Sequence, residues 1–137
     1  MTVTLEQPAR AVLVTAEDQE VPVTATLRYA SDDPLAAHID FPADISLSGD
    51  VVSWTFSRGL LEEGLRAPAG AGDVHIWPCG GGRTAVELHS PYGMALLQFE
   101  APALRRFLLR TYAVVASGRE NLGPTVDRGL TALLGGV

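Results

Sequence analysis

Lysine is absent from this chain. All ten basic residues are arginine, which excludes a Schiff-base lysine and the lysine of a phosphate-binding P-loop. Cysteine occurs once, at Cys79, so no internal disulfide can form, which suits a reducing compartment. No apolar run approaches the roughly 18 residues of a membrane-spanning helix. Met1–Glu6 has neither a basic stretch nor an apolar signal core, which predicts a cytoplasmic location. Cations are outnumbered, ten against sixteen acidic residues, for a net charge of −6. Binding a phosphate backbone needs clustered cations that release counterions, so no nucleic-acid partner is expected. Aromatic residues are 7% of the chain, few for base-stacking platforms.

What is present is a folding chain. With 137 residues, 47% of them hydrophobic, one domain spanning 1–137 can bury a real core. Period-2 alternation runs through the first two-thirds and marks half-buried strands. Val21, Val23, Ala25, Leu27 and Tyr29 share one face, with Thr24, Thr26 and Arg28 on the other. Leu35, Ala37, Ile39 and Phe41 alternate against His38 and Asp40, and Val52, Trp54 and Phe56 against serine and threonine. Ala11–Ala16 reads as an earlier strand; Asp73–Trp77, Arg83–His89 and Gly93–Phe99 read as later ones. Ser31-Asp-Asp-Pro34 supplies turn chemistry.

Two helical patterns and a third segment complete the reading. Leu61 and Leu65, with Glu62 and Arg66 at i,i+4, predict a short helix over Arg58–Arg66. Leu104, Phe107, Leu108, Thr111, Tyr112 and Val115 predict a longer one, opened near Pro102 and closed by Gly118. After a linker at 117–124, residues 124–134 place Val126, Leu130, Leu133 and Leu134 on one stripe. That segment is too short to persist without docking. The fold class is α+β: a mostly antiparallel twisted sheet with C-terminal helices around a core of about residues 10–116.

Catalytic constellations find little support. Gly70-Ala-Gly72 and Gly80-Gly-Gly82 precede strands, whereas phosphate loops open helices, so turn glycines are expected. His89 and Ser90 are strand neighbours and point to opposite faces. Asp32-Asp33 sits in a turn, and Glu62-Glu63 on a solvated helix. The metal-dependent reading would need His75, Glu87 and His89 brought together by the hairpin register, without HxxxH or CxxC spacing to support it. The expectation is no catalytic residue, no metal site and no cofactor. Arg105, Arg106 and Arg110 form a basic spot on an acidic molecule, suited to carboxylates of a partner.

An ordered series of phrases carries a resemblance. Leu27-Arg-Tyr and Asp33-Pro precede Trp54-Thr-Phe-Ser-Arg58-Gly-Leu-Leu-Glu-Glu-Gly64. Val74-His-Ile-Trp-Pro78, Ser90-Pro-Tyr-Gly93 and Phe107-Leu-Leu-Arg-Thr111 follow, with Gly118-Arg-Glu120 beyond. Together they resemble the SsgA-like sporulation and cell-division proteins of actinobacteria, from about residue 10 to 120. The resemblance implies a whirly-like α+β subunit, akin to single-stranded nucleic-acid binders, that assembles as a homotrimer. It implies a non-enzymatic adaptor concentrated at division septa, partnering the tubulin-like GTPase FtsZ or another SsgA-like protein. A single-stranded nucleic-acid binder on the same fold is the alternative. Among the matching residues, Trp54 and Phe56 are expected in the core, and Gly64 and Gly72 in backbone roles. Arg58, Asp73 and Trp77 join Arg105, Arg106 and Arg110 as expected contact residues.

Overall fold

Pairing in the computed structural model, which describes residues 2–15, 19–45 and 49–120, joins the two ends of the sequence pattern. Four strands, β1 (Thr4–Val14), β2 (Glu20–Ala30), β3 (Ala36–Phe41) and β4 (Val52–Ser57), form one antiparallel meander. Three more, β5 (Val74–Gly80), β6 (Arg83–Ser90) and β7 (Gly93–Glu100), form a second. Ala11–Val14 of β1 pair with Leu96–Phe99 of β7, giving the sheet order β4-β3-β2-β1-β7-β6-β5. Helix α1 (Arg58–Gly64) links the meanders, and α2 (Ala101–Val114) follows β7.

The sheet is curled. Strands β4 and β5 stand at opposite ends of its order, yet α1 packs against both. The free edge of β5 is covered as well: Ala69 and Ile76 exchange backbone hydrogen bonds of 2.9 and 3.0 Å. A sheet edge with unpaired amides invites association, and here loop and helix occupy it.

Strand β1 begins seven residues before the expected Ala11. Its inward positions Gln7, Ala9 and Ala11 are buried but weakly apolar, so alternation barely registers in the sequence. Pro8 lies where β1 has β2 as its one strand neighbour, so its missing N–H need break no second ladder. The gap beside it is filled by α2, whose Ala103 carbonyl accepts from Gln7 Nε2 at 3.0 Å. Leu35, placed in a strand by alternation, lies in the preceding turn and is exposed.

The core lies inside the curl. Leu27 and Tyr29 from β2, Ile39 from β3, Ile76 from β5 and Phe99 from β7 meet Leu104 and Phe107 of α2, all at most 1% exposed. Phe56 is buried and Trp54 packs half-buried against the same cluster. Helix α2 ends four residues before Gly118, because Val115 is already extended (φ −135°, ψ 110°). The segment at 124–134 lies outside the described residues. Gly80, Gly81 and Gly82 have φ of 88°, 64° and 74°, the left-handed run that turns β5 into β6.

On the outer side of β2–β4 the polar residues bond across strands. Arg28 grips Asp40 through two bonds of 2.8 and 3.1 Å, Ser53 donates to Asp40 at 2.6 Å, and His38 Nδ1 meets Thr55 Oγ1 at 2.8 Å. His38 is therefore half-buried rather than solvated. Burial, then the nearby Arg28 charge, holds its imidazole below the ordinary 6.5, outweighing Asp33 and Asp40. The unfolded chain then takes up this proton first as pH falls. Stabilisation from neutral His38 is complete above the unfolded value and is lost as pH drops from there toward the folded one. The denaturation midpoint is expected to fall as pH drops below about 6.5, the unfolded histidine value. His38→Gln should flatten that slope in urea titrations; an unchanged slope would assign it elsewhere.

Candidate contact surfaces

Arg58 was expected at a partner surface, between strand and helix. The structure buries it, with 2% of the residue exposed. The alternation that turns Trp54 and Phe56 inward continues to position 58, where Ser57 caps α1 by accepting from Leu60 N–H at 2.9 Å. The guanidinium lies over Tyr112 at 4.4 Å and near the Tyr29 ring at 5.4 Å. Its Nη1 donates to the carbonyls of Val115 (2.6 Å) and Thr111 (3.2 Å) and to the Tyr29 hydroxyl (3.2 Å). Nη2 donates to Glu120 Oε1 at 2.5 Å.

Those partners explain why an arginine can be buried. The last carbonyls of a helix lack intrahelical donors and carry the negative end of its dipole. Arg58 supplies the charge and a donor to Val115, and shares the Thr111 carbonyl with the Val115 N–H at 2.9 Å. Tyr29 passes the chain on, donating to Pro34 O at 2.9 Å. Burial lifts the Tyr29 hydroxyl above its usual range, partly countered by Arg58. Glu120 is held below the usual carboxylate range, first by its own backbone amide and then by Arg58. One side chain thus fastens α1, β2, the end of α2 and the chain beyond it.

The outer face of β5–β7 holds the other residues near the signature. Asp73 is exposed, and its carbonyl accepts from His89 N–H at 2.8 Å. Trp77 is half-buried opposite Ala85. The register does bring the three metal candidates together: His75 stands opposite Glu87, and the His75 and His89 rings lie 5.4 Å apart. His89 Nε2 is already engaged with Glu87 Oε1 at 2.5 Å. Among the described residues no three His, Cys, Asp or Glu side chains are grouped to hold a metal ion. At the β1–β7 junction an open cleft of about 480 Å³ is lined in part by Arg10, Thr24, Arg83 and Gln98. There Arg83 donates to Glu20 (3.3 Å) and Gln98 (3.2 Å).

Helix α2 presents the predicted arginines to solvent, but in two groups. Arg110 donates to Gln7 Oε1 at 3.0 Å and is tied to the sheet. Arg105 and Arg106, one turn earlier, are exposed and have no polar side-chain partner among the described residues. Around the helix Leu109, 68% exposed, lies between Arg105 on one side and Arg106 with Arg110 on the other. The sequence reading overlooked it, although its position off the 104–107–108–111 stripe was a sufficient signal.

A family model described as "Streptomyces sporulation and cell division protein, SsgA" matches residues 23–120. The chain belongs to the SsgA family. It is 46% identical to the sporulation-specific cell division protein SsgB of Salinispora tropica, over 98% of this chain and 94% of that one. Identity to SsgB of Streptomyces coelicolor is 42%, covering 89% of each. A solved structure, titled for SsgB mutations that correlate with longitudinal cell division during sporulation of Streptomyces coelicolor, superposes with a TM-score of 0.79. It shares 40% identity, over 88% of this chain and 94% of that one. The SsgA-like sporulation-specific cell division protein of Thermobifida fusca gives 0.77 and 32%, over 98% and 96%. This SsgA-family chain is therefore SsgB-like, and its family places it in cell division. Among the described residues no helix is long and apolar enough to cross a membrane.

Proposed function

We propose that this SsgB-like chain is a non-enzymatic adaptor that controls where division septa are placed and assembled, in division and sporulation, by recruiting or positioning FtsZ. The observation that carries the reading is near-full-length similarity to sporulation-specific cell division proteins. The internal use of Arg58 supports it: the most connected ionisable group among the described residues joins elements of the fold. Contacts with partners then fall to the exposed and half-exposed positions Asp73, Trp77, Arg105, Arg106 and Arg110. As a homo-oligomer, a trimer by the family resemblance, the protein offers repeated weak sites to a filament and gains avidity without new contacts.

A fluorescent fusion imaged through division tests the reading. The expected result is signal concentrated at division sites before septa close. Diffuse signal at every stage would remove it.

A further inference from the structure

We propose that the solvent side of α2 is a docking surface for an acidic partner segment with an apolar anchor, its carboxylates on Arg105 and Arg106 and its anchor on Leu109. The inference rests on the adaptor reading for the partner being a division protein; the chemistry of the surface stands by itself.

At about 100° per residue, Pro102, Leu109 and Ala113 fall along the middle of the exposed face. Arg105 lies to one side of that line, Arg106 and Arg110 to the other, and all six residues are exposed. A lone exposed leucine is ordinary. This one sits between arginines on a helix with no acidic residue of its own, in a chain of net charge −6. Arg106 and Arg110, at i,i+4, repel one another unless an anion lies between them. Arg110 is already directed by Gln7, whereas among the described residues Arg105 and Arg106 keep their forks free for bidentate carboxylate contacts.

Charge complementarity selects the occupant. The chain's own residues 121–137 carry one aspartate and one arginine, Asp127 and Arg128, whose side-chain charges cancel. A membrane surface needs a broad apolar face, and this one offers a single large apolar side chain. Single-stranded nucleic acid needs aromatic stacking platforms, which this face lacks. An acidic peptide with an aliphatic or aromatic anchor matches both rails and centre.

Full-length protein is titrated by fluorescence anisotropy against a short labelled peptide of Asp and Glu around one Leu and one Phe. Binding that weakens with salt is expected. Arg105→Ala with Arg106→Ala should weaken it about tenfold, and Leu109→Ser about threefold. Arg105→Lys with Arg106→Lys should recover part of the loss, since point charge replaces the fork. Equal affinity for a peptide with Lys in place of Asp and Glu overturns the proposal, as does unchanged affinity in the double alanine variant. Preferential binding to anionic vesicles over the peptide overturns it in favour of a membrane. Loss of self-association in sedimentation of the alanine variant, with peptide affinity intact, overturns it in favour of a second copy. Circular dichroism of each variant verifies that these exposed substitutions leave the fold intact.

Imaging separates this inference from the adaptor reading. Septal signal for the wild type and equally for Arg105→Ala/Arg106→Ala/Leu109→Ser removes the docking surface and leaves the adaptor. Diffuse wild-type signal alongside peptide binding removes the adaptor and leaves the surface.

Discussion

Replacing Arg58 by alanine is expected to cost about 3–5 kcal/mol in urea denaturation, comparable to deleting a large core side chain. Two effects add. The stacking against Tyr112 and Tyr29 is lost, leaving space between the buried Tyr29 and the partly buried Tyr112. The Val115 carbonyl loses its donor just past α2, while that of Thr111 keeps the Val115 N–H, and an acceptor left without a partner costs about 1–3 kcal/mol when buried. The melting temperature should fall by on the order of 10 °C. Arg58→Lys keeps the charge but cannot reach two carbonyls, a hydroxyl and a carboxylate at once, so most of the loss should remain. A loss below about 1 kcal/mol for Arg58→Ala would show that the guanidinium does not hold these elements together.

The same junction has an acid signature. The folded-state pKa of Glu120 is depressed, so its stabilisation is complete above the unfolded value and disappears as pH falls through the folded one. Asp40, held down first by its bonds to Arg28, adds to the same limb. Glu120→Gln should therefore reduce stability near neutral pH and reduce it less below about pH 4, the unfolded carboxylate range.

Alternation made much of this fold legible. The inward residues of β2, β3 and β4 read correctly from Val23 to Phe56 because each buries apolar side chains on one face. The first half of β1 did not, because glutamine and alanine face inward there, and what covers them is a helix from the other end of the chain. Pairing of β1 with β7 is invisible to any local pattern, since register over such a separation is set by packing. The candidate contacts divided on the same grounds. Exposed charges on α2 follow from helical period, and Arg105, Arg106 and Arg110 lie where that period puts them. Arg58 looked like a loop charge because the groups that compensate its burial, Tyr29, Val115 and Glu120, are distant in sequence. The phrases that matched the family contained the answer in another form: they held both Arg58 and the Gly118-Arg-Glu120 run that meets it.

Gly64 and Gly72 were both expected to serve the backbone, and the structure separates them. A Cβ on Gly72 would meet nothing within 4 Å. One on Gly64 would lie 2.4 Å from both Cβ and Cγ2 of Ile76, with the Ile76 carbonyl at 3.1 Å. Ile76 is fully buried and its backbone is bonded on both sides of the residue to Ala69, so it has no room to retreat. Helix α1 would have to move off β5. Alanine gains about 1 kcal/mol of helix propensity over glycine, but overpacking of a tight contact costs about 1–3 kcal/mol and can cost more. With two atoms well inside contact distance, the clash should win. Gly64→Ala is expected to destabilise by about 2 kcal/mol net in urea denaturation, while Gly72→Ala stays within about 0.5 kcal/mol of the parent. In an Ile76→Ala background the added cost of Gly64→Ala should shrink, because Cγ2 is gone, and not vanish, because Cβ remains. Amide exchange at Ala69 and Ile76 should quicken in Gly64→Ala, since the helix that moves is the one covering that edge of the sheet. A Gly64→Ala protein as stable as the parent would mean that α1 does not pack on β5 at this distance, and the account of how the curled sheet is sealed would fail with it.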